Sequence, residues 1–295
     1  GYYFLSQSNK NKPITKKKPN IVCTTSIIAD TVYNIFGPHA DIISLMGPGI
    51  DPHLYKARSN DIFLINNADI VFYNGLHLEG KMVDILNSLN NKNKKAYAVS
   101  DGLQRKFLRT TEYDDIYDPH IWFDVALWKM VVIFIEKKLI EHFPEYANLI
   151  EHNTIVYMQK LEELDTYAQE MIAKLPVKKR ILITAHDAFG YFARRYNFTI
   201  ESLQGISTDA EIKISDIERV ASIIIDNQVP TIFVEQTIAP DYLKGIKNIV
   251  NAKGYEVSIG NQLYSDALGE IGTKAETYIT MYETNINSIV RGLIE

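Results

Sequence analysis

Two periods alternate along this chain. Ile21-Val22-Cys23-Thr24-Thr25 is a short, β-branched, unbroken apolar run of the kind that forms a buried strand. Directly after it, Ile27, Ile28, Val32, Ile35 and Phe36 fall three and four residues apart, the spacing of one helix face. Ser26 is placed to cap that helix, and Gly37-Pro38 to stop it. Ile42 to Met46 reads as a strand, a helix ends near Asn66-Asn67, and Val71-Phe72-Tyr73 and Ala96 to Val99 read as further strands. A helix follows over residues 125–141. Strands alternating with helices predict parallel α/β layers.

Between Pro144 and Pro176 the short period disappears. Tyr146, Ile150, Tyr157, Leu161, Leu164, Ala168, Met171 and Leu175 recur at helical spacing, with polar residues opposite and no glycine or proline between. At ~1.5 Å per residue such a helix reaches about 45 Å, enough to cross a two-lobed molecule. The alternation then restarts and rhymes with the first half. Ile181 to Thr184 plus a helix echoes residues 21–36. Gly205-Ile206-Ser207, Ser215-Asp216-Ile217 and Thr231 to Glu235 echo Gly49-Ile50-Asp51, Asn60-Asp61-Ile62 and Ile70 to Asn74. A last strand lies near Tyr255 to Ile259, and Tyr278, Met281, Tyr282, Ile286, Ile289 and Leu293 mark a closing helix. The expected order is a flexible basic tail (1–19), an α/β lobe (20–143), a linking helix (144–176) and a second α/β lobe (177–295).

Composition agrees with this division. The 295 residues are 46% hydrophobic and 23% charged, enough for folded cores. No apolar run approaches the ~20 residues that span a bilayer. The lone cysteine, Cys23, rules out an intrachain disulfide or a thiolate cluster and reads as core filler. The first twenty residues carry five lysines and no acid, so the rest is twice as acidic as the net charge of −5 suggests. An acidic body disfavours nucleic acid and favours cations. Gly1-Tyr2-Tyr3-Phe4-Leu5 fits the end of an export signal's apolar region or a trimmed end.

Four residues stand out chemically: His53, His120, His186 and Asp266, two in each half. Each lies on an expected loop beyond the carboxyl end of a strand, where parallel α/β sheets bind ligands. Two of the histidines end Asp-Pro-His tripeptides, whose proline stiffens the approach. Three imidazoles and a carboxylate suit Zn(II), and also Mn(II), which favours more oxygen. A full set of four protein ligands holds a metal, whereas catalytic zinc keeps an open position. Taken singly, His53 and His186 read more readily as polar loop residues than as ligands, His120 as packed on Trp122, and Asp266 as a helix cap. Asp118, Asp124, Asp187 and Glu235 are the candidates to orient the imidazoles. His39 and His77 are assigned to loops, and His142 and His152 to exposed helical faces.

These motifs carry a resemblance. Residues 20–36, Gly49 to Tyr55, Ala68 to Glu79, Asp118 to Trp122, Thr184 to Tyr196 and Tyr264 to Leu268 resemble the zinc/manganese solute-binding proteins of ABC importers, above all the TroA-like branch. The resemblance runs from Pro19 onward. It implies two α/β lobes with parallel central sheets, linked by one long backbone helix, and a metal held at their interface by the residues matching His53, His120, His186 and Asp266. Manganese-preferring members tend to carry glutamate at the third position, so His186 points to zinc first and manganese second. Pro52, and the absence of a long His/Asp-rich loop, separate the chain from the dedicated zinc importers. One departure from the family is that no cysteine near Gly1 offers a lipid attachment point.

The expectation is a monomeric, extracytoplasmic, non-enzymatic protein that captures a divalent metal and delivers it to a membrane permease. Metal affinity should fall as pH drops through the imidazole range near ~6.5. The rival readings are a surface adhesin with a structural metal and a zinc metallohydrolase. The second lacks any His-Glu-x-x-His motif.

Overall fold

The computed structural model describes residues 17–91, 96–111 and 116–294. Most of the basic tail, including Lys10, Lys12 and Lys16, lies outside the described residues; Lys17 and Lys18 are exposed.

The first half runs β1 (Asn20–Thr25), α1 (Ser26–Phe36), β2 (Asp41–Met46), α2 (Ser59–Asn67), β3 (Ile70–Tyr73), α3 (Val83–Asn91), β4 (Ala96–Ala98) and α4 (Val125–His142). Its four strands form one parallel sheet in the order β2-β1-β3-β4. Both faces are covered, which is why β1 is an unbroken apolar run. Val22 and Val71 turn to one face, against Met46, Ile65 and Leu86. Ile21, Cys23, Ile70 and Phe72 turn to the other, against the helices of the main core. Cys23 is wholly buried there, and burial pushes its thiol well up, so it is inert filler.

The long helix α5 (Ala147–Ala173) spans 27 residues, about 40 Å. Its buried stripe follows the expected one, except that Ile172 rather than Met171 faces inward near the end. It packs against α1 and α4 from the first half and α9 (Tyr278–Ile294) from the end of the chain.

Between them lie β5 (Ile181–His186), α6 (Gly190–Tyr196), β6 (Thr199–Gln204), α7 (Ile214–Asp226), β7 (Thr231–Ile232), α8 (Asp241–Ala252) and β8 (Ser258–Ile259). β5 pairs with β6 and β7 with β8, both in parallel. The amide of Phe233 donates to the carbonyl of Ile183, setting β7 beside β5. The order β6-β5-β7-β8 thus repeats that of the first half, the rhyme heard in the sequence.

Several local expectations shift. Thr25, not Ser26, caps α1, its hydroxyl accepting from the amide of Ile28. Ser26 is drawn away because its hydroxyl accepts the amide of Leu268 from the far half. β5 extends to His186 instead of ending at Thr184. The regular pairing of β7 and β8 is only two residues long, shorter than their apolar runs. β6 carries no unbroken apolar signal, because Glu201 and Ser202 interrupt it. His142 is not on an exposed face: its Nε2 meets the Tyr97 hydroxyl at 2.7 Å. Among the described residues no helix is long and apolar enough to cross a membrane.

Candidate metal centre

His53, His120 and Asp266 sit on loops and His186 is the last residue of β5, and the fold brings all four together. His53 and Asp266 are 4% and 2% exposed, and His120 and His186 are fully buried. One potential ligand atom from each lies within 4.8 Å of all the others.

The two Asp-Pro-His tripeptides make the same turn. Asp51 Oδ1 accepts from the amide of His53 at 2.9 Å, and Asp118 Oδ1 accepts from the amide of His120 at 3.0 Å. Aspartate commonly closes such turns with its own side chain. His186 is held instead by the end of β5. Asp266 is held by α9, where Asn285 accepts from the Tyr264 amide at 2.9 Å and donates to the Tyr264 carbonyl at 2.8 Å. The same helix supports the His120 loop, since Tyr278 and Tyr282 donate to the carbonyls of Trp122 and Phe123. Trp122 Nε1 closes the circuit by donating to the carbonyl of Ser265.

The approach of the ligand atoms is close. Nε2 of His53 lies 3.3 Å from Nε2 of His120. Asp266 Oδ2 is 3.3 Å from His53 Nε2 and 3.1 Å from His186 Nε2, while its Oδ1 is 3.3 Å from His120 Nε2. Atoms about 2.0 Å from a tetrahedral zinc sit about 3.3 Å from one another. The group therefore has the dimensions of a first coordination sphere. Among the described residues no hydroxyl or amide donates to either oxygen of Asp266. A buried carboxylate facing only imidazoles is otherwise costly, and a cation at their centre resolves it.

Of the four orienting candidates, the structure selects two. Asp118 Oδ1 lies 2.7 Å from Nδ1 of His120. Glu235 Oε2 lies 2.5 Å from Nδ1 of His186, and its Oε1 accepts the amides of Ala185 and His186, both at 2.8 Å. Such partners leave Nε2 as the donor to a metal. Asp124 instead caps α4 and pairs with Arg195, which also holds Asp165 of α5. Asp187 faces Arg109.

Arg109 and Glu79 were not singled out from the sequence. Arg109 Nη1 pairs with Asp118, and its Nη2 lies 3.8 Å from Asp187, so one guanidinium joins acids beside His120 and His186. It rests on Gly190, where a Cβ would fall 1.2 Å from Nη1. Glu79 is buried and accepts from the Thr24 hydroxyl and the amides of Asn74 and Gly75. It braces a turn in which Gly75, Leu76 and His77 all have positive φ. Asn74 then donates to the carbonyl of Pro119, one residue before His120. A polar side chain meeting distant loops leaves no periodic trace, so Arg109 has no signal beyond its charge and Glu79 has only its place at the end of the Ala68 to Glu79 motif.

Electrostatics here follow from burial and near charges. Burial alone would lower the His120 imidazole, but Asp266 and Asp118 outweigh it and raise it to about 9. For His186, burial is likewise outweighed by Glu235 and Asp266, and the imidazole is raised well above its ordinary value. Burial opposes ionisation of Asp266, yet His186 and His120 hold it well below the usual carboxylate range. The carboxylates thus move the pH window for metal binding above the ~6.5 of a free imidazole. A cavity of about 740 Å³ opens beside His53, lined by Arg109 and Asp187 on one side and Gly205, Ile206 and Ser207 on another.

Known proteins resemble this chain in sequence and fold. Residues 21–292 match the family described as zinc-uptake complex component A, periplasmic. The manganese-binding lipoprotein MntA of Bacillus subtilis (strain 168) is 40% identical, over 92% of this chain and 89% of its own. The zinc-binding protein TroA of Treponema pallidum (strain Nichols) is also 40% identical, over 94% of this chain and 89% of its own. The solved structure of the periplasmic zinc binding protein TroA from Treponema pallidum superposes with a TM-score of 0.91 at 39% identity, covering 94% of this chain and 99% of that one.

Proposed function

The chain belongs to the family of periplasmic zinc-uptake component A proteins, and from that premise we propose that it is an extracytoplasmic solute-binding protein that carries a divalent transition metal to an ABC permease. The metal is cargo, bound by Nε2 of His53, His120 and His186 and by the carboxylate of Asp266. The observation that carries this reading is the set of 3.1–3.3 Å separations among those four groups. Four protein ligands fill a tetrahedron, which favours holding over turnover. That supports a carrier over a hydrolase, in keeping with relatives whose names describe metal binding.

Zinc is the preferred cargo and manganese the second. Three imidazoles to one carboxylate suit the borderline ion better than the harder one. Relatives of equal identity are named for zinc and for manganese, so overall similarity does not discriminate between them. The lobes are assigned to residues 20–143 and 177–295 with residues 144–176 as the connecting rod, and the protein acts as a monomer. Because α5 packs against helices from both sides of the chain, opening is a small tilt or loop movement rather than a wide hinge swing.

The test is a zinc titration in competition with a chromogenic chelator. The parent protein should bind one zinc per chain, and His186→Ala should weaken it by at least ~100-fold. Parent-like affinity in that variant would overturn the ligand assignment.

A further inference from the structure

We infer that Thr208 is a positioning residue: its hydrogen bond to Asp51 is a latch, tying the second half of the chain to the His53 loop and setting how fast metal is released. This rests on the metal-capture reading above. Thr208 Oγ1 donates to Asp51 Oδ2 at 2.6 Å, between residues 157 positions apart, and Thr208 is 8% exposed. The other oxygen of the same carboxylate accepts the amide of His53. One carboxylate therefore shapes the turn that presents His53 and receives a hydroxyl from the opposite half.

The far end of the connection is equally defined. The amide of Asp187, next to His186, donates to the carbonyls of Gln204 and Gly205 at 3.2 Å each. Gln204 Nε2 then donates to the carbonyls of Thr208 and Ala210, at 3.2 and 2.9 Å, folding residues 205–210 into a compact turn. Thr208 projects from that turn onto Asp51. A strap of hydrogen bonds thus runs from beside His186 to beside His53 without passing through the metal. Lys81 and Asp209 meet at 2.7 Å on the exposed rim of the same crossing; being solvated, that pair contributes little.

The strap has a direct kinetic consequence. Four buried ligands cannot let a metal go until one of them moves. His53 is the ligand beside the cavity and the one whose loop is held across the cleft. Freeing Asp51 from Thr208 lets that loop swing out with His53, while His120, His186 and Asp266 stay braced by Asp118, Glu235 and α9.

The experiment is release of zinc from the loaded full chain after an excess of EDTA, followed by stopped flow. Thr208→Val keeps shape and removes the hydroxyl; Thr208→Ser keeps the hydroxyl. Loss of a hydrogen bond to a charged group should speed release by about tenfold in Thr208→Val, with Thr208→Ser within about twofold of the parent. Asp51→Asn/Thr208→Val should release no faster than the faster single variant, since the two residues act through one bond. Release from Thr208→Val at the parent rate, or from Thr208→Ser as fast as from Thr208→Val, would overturn the latch. A parent chain that binds no zinc would instead sink the capture reading, and the latch with it.

Discussion

Glu235 divides its carboxylate between two tasks. One oxygen takes the two amides at the end of β5, and the other faces Nδ1 of His186. Replacing it with glutamine keeps the shape and removes the charge that supports the imidazole. Glu235→Gln should therefore weaken zinc binding by about tenfold or more, read by chelator competition. An unchanged constant would assign Glu235 to backbone support alone. The same carboxylates set the pH response. A metal-bound Nε2 carries no proton, yet His120 titrates at about 9 in the metal-free chain and His186 is also raised. Both shifts favour the protonated imidazole, so zinc binding near neutral pH should release protons. Affinity should rise with pH toward about 9 and fall steadily on acidification. Calorimetry in two buffers of different ionisation enthalpy counts the protons; a count of zero contradicts the electrostatic account.

At the scale of elements, the first residue of α6 is Gly190, and the Arg109 guanidinium occupies the space a side chain there would need. Gly190→Ala has two opposing effects. The helix gains up to about 1 kcal/mol from alanine. Arg109, a flexible side chain, moves aside and loses its contacts with Asp118 and Asp187. The expected result is a melting temperature close to the parent's together with zinc binding about tenfold weaker. A large loss of stability with affinity intact would show that Arg109 braces the fold and not the site. α9 has the complementary role. Asp30 of α1 accepts the first amide of α9, from Tyr278, at 3.0 Å, and α9 in turn supports both the His120 and the Asp266 loops. This last helix is thus the platform on which a candidate ligand from each half rests.

At the scale of the molecule, one apolar core runs from Ile21 in β1 to Leu293 in α9, through α4, α5 and the second half. The smaller cluster on the far side of the first sheet is attached to it through the same strands. A continuous core denies the two halves independent unfolding, although each carries its own parallel strands. Metal-free protein should therefore melt in a single calorimetric transition whose van't Hoff and calorimetric enthalpies agree. Two resolved transitions would mean that α5 connects the halves without coupling them. Coupling of this kind also limits the opening motion, which suits a carrier whose four candidate ligands are buried side chains.

Much of this was legible in the sequence where the interaction is local or periodic. The unbroken apolar run of β1, the three-four stripe of α5 and the two Asp-Pro-His turns are each fixed within a few residues of themselves, so reading along the chain finds them. The four ligand candidates stood out because three imidazoles and an aspartate recurred on strand-end loops. Partnership across the fold was not legible. Asp118 lies two residues from His120, but Glu235 reaches His186 from 49 residues away, and four acids looked equally eligible. Ser26 read as a cap until Leu268 claimed its hydroxyl, and His142 read as exposed until Tyr97 met it. The physical reason is the same in each case. The order of apolar and polar residues determines which face of an element is buried, because that depends on repeat geometry alone. Which polar group meets another through space depends on how the elements are stacked, and only the tertiary structure decided that.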